Sequence, residues 1–198
     1  SSKMTYLSGG KLTFTPEADR LCTEGVALFK QEKHDESIEK YNQALALIDI
    51  KKEQTKAKAG ELRKLPLFIG EKEGKTYYVA PIRGKGLWDA VWAYVAMDEN
   101  MIVQGAYFDH QAETAGLGAN IKQRFFMDDF IGEHLLDKNG VFKGITVSKS
   151  NADPTNKIKD DNEVDAIAGA TITGDGVSAM IKKDLKLYQP YFENLKTN

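Results

Sequence analysis

Cysteine is nearly missing from this 198-residue chain, which has only Cys22. A single thiol excludes an internal disulfide framework and a cysteine-built metal cluster. Histidine is almost as scarce. His34, His110 and His134 lack metal-ligand spacing, and no Ser/His/Asp arrangement or acid–base pair presents itself. No metal ligand and no catalytic residue is therefore expected. An excess of one charge is missing too. Lys and Arg number 27 against 29 Asp and Glu, a formal net charge of -2, so there is no electrostatic reason to expect nucleic acid as a partner. Long apolar runs are also lacking. Asp89 interrupts residues 87–97 and Asp49 interrupts residues 44–50, well short of the ~20 apolar residues that span a bilayer. No charged start leads into an apolar core, as a signal peptide would. The first residue is Ser1 and not Met, so the chain is expected to be processed or trimmed.

What is present suits a globular protein. Hydrophobic residues make up 41%, enough for a core. At about 150 residues per domain the length predicts one full domain with an appendage. Residues 1–14 are polar, carry Gly9-Gly10, and predict an extended or flexible segment. Thr15, Pro16, Glu17 and Asp19 then read as a helix start. Asp35 caps a second helix striped by Ile38, Tyr41, Leu45 and Ile48. Gly25, Asp35-Glu36-Ser37-Ile38, Tyr41 and Ala44-Leu45 in residues 16–49 resemble one tetratricopeptide repeat. With no second copy to bury its faces, this hairpin is expected to be an elaboration packed on its neighbour. Basic residues dominate positions 51–64, with no aromatic among them, which predicts a solvated helical connector.

From Pro66 onward strands dominate. Residues 67–69 and 76–79 predict a strand pair turning at Gly74. Trp88–Met97 and Met101–Phe108 predict a second pair. Apolar spacing predicts a helix over Ile121–Leu136, a strand over Val141–Val147 and a loop over Ser148–Val164. A last helix starts near Thr173 and buries Val177, Ile181 and Tyr188. The expected fold is α+β: a largely antiparallel sheet with flanking helices, preceded by the N-terminal helical hairpin.

Three glycine-bearing segments carry the chemistry. They are Gly84-Lys85-Gly86-Leu87-Trp88-Asp89, Glu113-Thr114-Ala115-Gly116-Leu117-Gly118 and Asp165-Ala166-Ile167-Ala168-Gly169-Ala170-Thr171-Ile172-Thr173. None is a P-loop or a dinucleotide fingerprint. In the third, Gly169 and Ala170 allow close backbone approach, and Thr171 offers a hydroxyl beside a helix start that suits phosphate. On spacing alone, helix capping by Thr171 or Thr173 is the favoured reading.

Taken together and in this order, the segments resemble the C subunit of the sodium-translocating NADH:quinone oxidoreductase. They fall in its FMN-binding domain, shared with the G subunit of the Rnf complex. The resemblance runs from about Pro66 to Tyr188 and divides the chain into a flexible segment (1–14), a hairpin with connector (15–65) and an FMN-binding domain (66–198). The third segment matches the family's flavinylation motif at Asp165, Gly169, Ala170 and Thr171. Ala168 stands where Ser or Thr is usual, and Ala115 replaces a usual proline in the second segment. The resemblance implies FMN joined through its phosphate to Thr171, with Thr173 as the alternative. It implies that Glu113 and Thr114 bond ribityl or phosphate oxygens, that Leu117 covers the ring, and that Gly116 and Gly118 let backbone approach. It makes Trp88 an aromatic wall and gives Lys149 the charge to neutralise phosphate or stabilise an anionic flavin. Taken singly, Trp88 reads as core, Lys149 as solvated and Glu113 as a surface acid.

The implied function is a one-electron FMN carrier in a membrane-bound sodium-pumping NADH:quinone oxidoreductase. Its partners would be the other subunits and a maturing flavin transferase. It would sit as a periplasm-facing domain at the bacterial inner membrane, behind an N-terminal membrane helix that these residues do not contain. NADH oxidation is not expected from this chain alone. Two alternatives stand beside it: an Rnf-type flavin subunit, and a protein-docking module with a vestigial flavin site.

Overall fold

The computed structural model describes residues 2–8, 11–14, 39, 49–151 and 153–197. The expected hairpin lies outside the described residues except at its end. The chain divides into two compact units, residues 1–80 and 81–198.

In the first unit, β1 (Ser2–Ser8) pairs antiparallel with β2 (Lys11–Phe14), and on its other edge with β3 (Leu65–Lys72). β3 in turn pairs antiparallel with β4 (Lys75–Lys85). The β3–β4 turn uses two left-handed residues, Glu73 and Gly74, where the sequence places it. Leu67, Phe68 and Ala80 are buried. Between β2 and β3 lies α1 (Ile50–Lys58), the helical part of the basic connector. The Asp49 carboxylate accepts from the Lys52 amide at 3.0 Å and caps this helix. Glu53, on its inner side, accepts from Lys56 Nζ at 2.6 Å and from the Lys64 amide at 2.7 Å, which ties the helix to the chain entering β3. These donors outweigh the burial that would otherwise raise its pKa, so Glu53 stands below the usual glutamate range.

The second unit begins within β4. β5 (Ala90–Met97) and β6 (Val103–His110) form an antiparallel hairpin across the Asp98 turn. The Asp98 carboxylate accepts from the Asn100 and Ile102 amides at 2.9 and 3.1 Å and closes that turn. β5 is buried almost continuously, so both of its faces are covered. A turn of 3-10 helix, Gly118–Lys122, leads into α2 (Arg124–Asp129). Two-residue strands β7 (Thr146–Val147) and β8 (Glu163–Val164) pair in parallel. α3 (Thr171–Asp184), a 3-10 turn and α4 (Gln189–Thr197) end the chain. Val177, Ile181, Leu185, Tyr188 and Phe192 bury one side of this helical run. A triad of Phe108, Phe126 and Phe130, with ring centroids 4.9–5.3 Å apart, packs α2 against β6. The α+β, largely antiparallel fold with flanking helices is the one predicted. No helix among the described residues is long and apolar enough to cross a membrane.

Two predicted elements are shorter in the structure. The helix predicted over 121–136 is only α2 with its 3-10 prelude. Phe130 closes the ring triad, Gly132 adopts a left-handed φ of +87°, and its amide bonds the Val103 carbonyl at 2.8 Å. The chain thus turns back, and residues 132–135 run beside residues 101–103 at the start of β6. The strand predicted over 141–147 shrinks to β7. Residues 137–141 form a tight turn on the Asp137 carboxylate, and left-handed Gly144 interrupts the extended chain.

Candidate functional site

All three glycine segments meet in the second unit. α3 starts at Thr171, two residues earlier than predicted. Its N-cap is Ala170, and no side chain caps it. The capping reading for Thr171 and Thr173 therefore gives way. The Thr171 side chain is exposed, and Thr173 is 1% exposed. A helix start without a side-chain cap keeps its partial positive charge for another acceptor.

Glu113 lies at the centre. The Thr173 hydroxyl donates to its Oε2. The Leu87 amide donates to the same oxygen at 3.3 Å, and the Trp88 amide donates to Oε1 at 3.0 Å. Burial would raise its pKa, but the Thr173 hydroxyl and the amides of Trp88, Leu87 and Asp89 favour the charged form and hold it below the usual glutamate range. The Glu113 amide in turn donates to His110 Nδ1 at 3.1 Å, which ties the second segment to the end of β6.

The glycines interlock around this carboxylate. A Cβ on Gly86 would lie 2.6 Å from Glu113 Oε1. One on Gly118 would overlap the Thr173 hydroxyl and come 2.6 Å from Glu113 Oε2. One on Gly176 would overlap the Lys85 carbonyl, and one on Gly84 would lie 2.7 Å from the Met180 Cβ. Gly169, at φ +70°, has Leu117 Cδ2 2.8 Å from where its Cβ would be. The close approach expected at Gly169 is thus made by Leu117. Gly116 adopts φ +77° in open space and serves the turn itself.

Around this framework lies an exposed apolar rim. Trp88 precedes β5 instead of opening it and is 64% exposed, so it is not core. Its indole N–H donates to the Thr114 hydroxyl at 3.0 Å. Leu87, Leu117 and Ile172 are exposed as well. Lys149 is solvated, 3.5 Å from the Asp175 carboxylate on α3. Asp165 is half-buried, and burial with the neighbouring Asp129 and Asp153 charges raises its pKa. Sequence reasoning misses His110, Gly176 and Met180. Gly84 and Gly86 stand out in the sequence as glycines, but their packing partners belong to distant segments.

An α+β unit with an uncapped helix start, an exposed threonine on its first turn and an apolar rim beside it has the form of a cofactor-anchoring domain. The chain belongs to the FMN-binding domain family, whose model matches residues 86–186. It is similar to the C subunit of the Na(+)-translocating NADH-quinone reductase. It is 40% identical to that of Yersinia pestis over 101 residues, which cover 50% of this chain and 36% of the relative. It is 30% identical to that of Pseudomonas aeruginosa over 118 residues, covering 58% and 44%. The matched region thus spans less than half the length of these relatives. Among solved structures, the C subunit from Parabacteroides distasonis aligns with a TM-score of 0.67 at 27% identity, covering 89% of this chain and 94% of that one. NqrC of Shewanella oneidensis aligns at 0.59 and 27% identity, covering 70% and 64%.

Proposed function

We propose that this chain is the flavin carrier of a sodium-translocating NADH:quinone oxidoreductase, holding FMN covalently through its phosphate on the Thr171 hydroxyl. The observation that carries the reading is the contrast on the first turn of α3. Thr171 is exposed at an uncapped helix start, while the hydroxyl of Thr173 is engaged by Glu113. The residues fit the group. Backbone N–H groups of the first turn of α3 favour a phosphate on Thr171. Lys149, paired with Asp175 on that helix, supplies a cation to the same end of α3. Trp88, Leu87, Leu117 and Ile172 offer apolar area for a ring system.

When bound, FMN supplies the capacity to accept and release electrons one at a time. This chain's residues anchor it, orient it and set the charge around it. A covalent link suits a shallow, open platform, because it removes dissociation without requiring a deep pocket. Electron relay then belongs to the assembled complex, whose other subunits and flavin transferase are the proposed partners. The proposed location is the periplasmic side of the bacterial inner membrane.

The test is mass spectrometry of this chain made with and without the flavin transferase. The expected result is an added FMN-sized mass only with the transferase, and its loss in Thr171→Ala. No added mass in the unaltered chain would overturn the reading. An adduct that survives Thr171→Ala would move the attachment elsewhere.

A further inference from the structure

The resemblance assigns Glu113 to the flavin itself, yet the chain's own donors already engage both of its carboxylate oxygens. We propose that Glu113 and Thr173 form an internal strut that positions the flavin platform without themselves serving as its ligands. This rests on the flavin-carrier reading above. Oε2 joins the α3 start, through the Thr173 hydroxyl, to the first segment, through the Leu87 amide. Oε1 holds the Trp88 amide. The second segment contributes the carboxylate and is held in turn by His110.

Two glycines show that the chain is built around this group. Gly86 and Gly118, in two different segments, are both places where a Cβ would run into the Glu113 carboxylate. The carboxylate is buried yet held below its usual pKa range, so the surrounding donors favour its charged form. A buried charge with three donors at fixed positions is a directional joint between segments. It fixes Trp88 at the backbone, and the indole then reaches Thr114. Through Thr173 it also fixes the helix turn that carries Thr171. The strut sets the position of the rim relative to the attachment hydroxyl, and it occupies the one other hydroxyl on that turn.

The experiment compares this chain as wild type, Glu113→Gln, Thr173→Val and Thr173→Ser, each confirmed folded by circular dichroism. Amide hydrogen exchange is measured on protein made without flavin transferase. Glu113→Gln leaves one accepting oxygen for three donors, so the Leu87 and Trp88 amides are expected to exchange about tenfold faster. Thr173→Val cuts the tie of the carboxylate to α3, so Leu87 is expected to exchange faster, and Thr173→Ser to match wild type. On protein made with the transferase, the visible circular dichroism of the flavin should change in Glu113→Gln and Thr173→Val alike and be restored by Thr173→Ser. Unchanged exchange in Glu113→Gln overturns the proposal. So does a flavin signal altered by Glu113→Gln and untouched by Thr173→Val, since Glu113 would then contact the flavin directly. Should Glu113→Gln not fold, the Val and Ser variants at position 173 carry the same comparison. If the wild type takes up no flavin, the carrier reading fails, and the exchange measurements still decide the strut.

Discussion

Thr171 and Thr173 share the first turn of α3 in opposite environments: Thr171 is exposed, and Thr173 is buried with its hydroxyl on Glu113. At about 100° of rotation per residue, positions two apart point away from each other, so a single helix turn presents one hydroxyl outward and one inward. Thr171→Ala should therefore leave thermal stability within about 0.5 kcal/mol of wild type. Thr173→Ala removes a donor to a buried charge and should cost about 1–3 kcal/mol. Thermal melts of the unmodified protein check this, and equal costs at the two positions would contradict the arrangement.

The glycines around the site should separate by their surroundings. Gly86→Ala and Gly118→Ala force a methyl group onto the Glu113 carboxylate and should destabilise by about 1–3 kcal/mol. Gly105, in β6, has nothing within 4 Å of where its Cβ would lie and no left-handed φ. Gly105→Ala should be neutral or slightly stabilising. Denaturant midpoints for the three variants rank them.

The charged strut has a direction in pH. The folded pKa of Glu113 lies below its ordinary value of 4.5. Its stabilising contribution is therefore complete above pH 4.5 and fades as pH falls through the lower folded value. Glu113→Gln lacks this dependence. The stability gap between wild type and variant should be widest above pH 4.5 and narrow as pH falls below it. A gap that stays constant below pH 4.5 would show that the carboxylate charge is not what matters.

Strand pairs with a clear two-residue alternation and a turn residue between them, such as β3 and β4 around Gly74, are legible because the signal is local. The end of the Ile121–Leu136 stripe is not. Its apolar spacing belongs to two separate demands, the ring triad at Phe126 and Phe130 and the β6 contact after Gly132, and linear spacing cannot tell these from one helical stripe. At the site, the three glycine segments are legible as a set. Spacing gives Gly169 and Ala170, and the resemblance gives Gly116 and Gly118, a role in close backbone approach; in the structure Gly118 abuts the Glu113 carboxylate, as Gly86 does, and Gly169 abuts Leu117. These are contacts between residues tens of positions apart, which pattern along the chain does not encode. The same holds for Trp88: its apolar flank reads as strand, yet the bond between the Gly86 amide and the Asp89 carbonyl at 2.7 Å closes a turn and leaves the indole in solvent.

Glu133 provides the last prediction. It is 0% exposed, and its ionic partner Lys159 Nζ lies 3.5 Å away. Burial pushes its pKa up to about 7, against the opposing pull of Lys159 and Asn156. An acid whose folded pKa is raised costs stability once the unfolded chain can ionise. The cost grows from pH 4.5, the ordinary value, to about pH 7, and is constant above that. Glu133→Gln keeps the shape of the protonated acid and removes the charge. Lys159 keeps its bond to the Asp129 carbonyl at 2.8 Å, so the lysine is not stranded by the change. The variant should match wild type at pH 4.5 and exceed it at pH 8 by about 1–3 kcal/mol, a shift of several degrees in Tm. Melts at the two pH values decide it: a variant less stable than wild type at pH 8 would mean that the ion pair with Lys159 outweighs the burial of the charge.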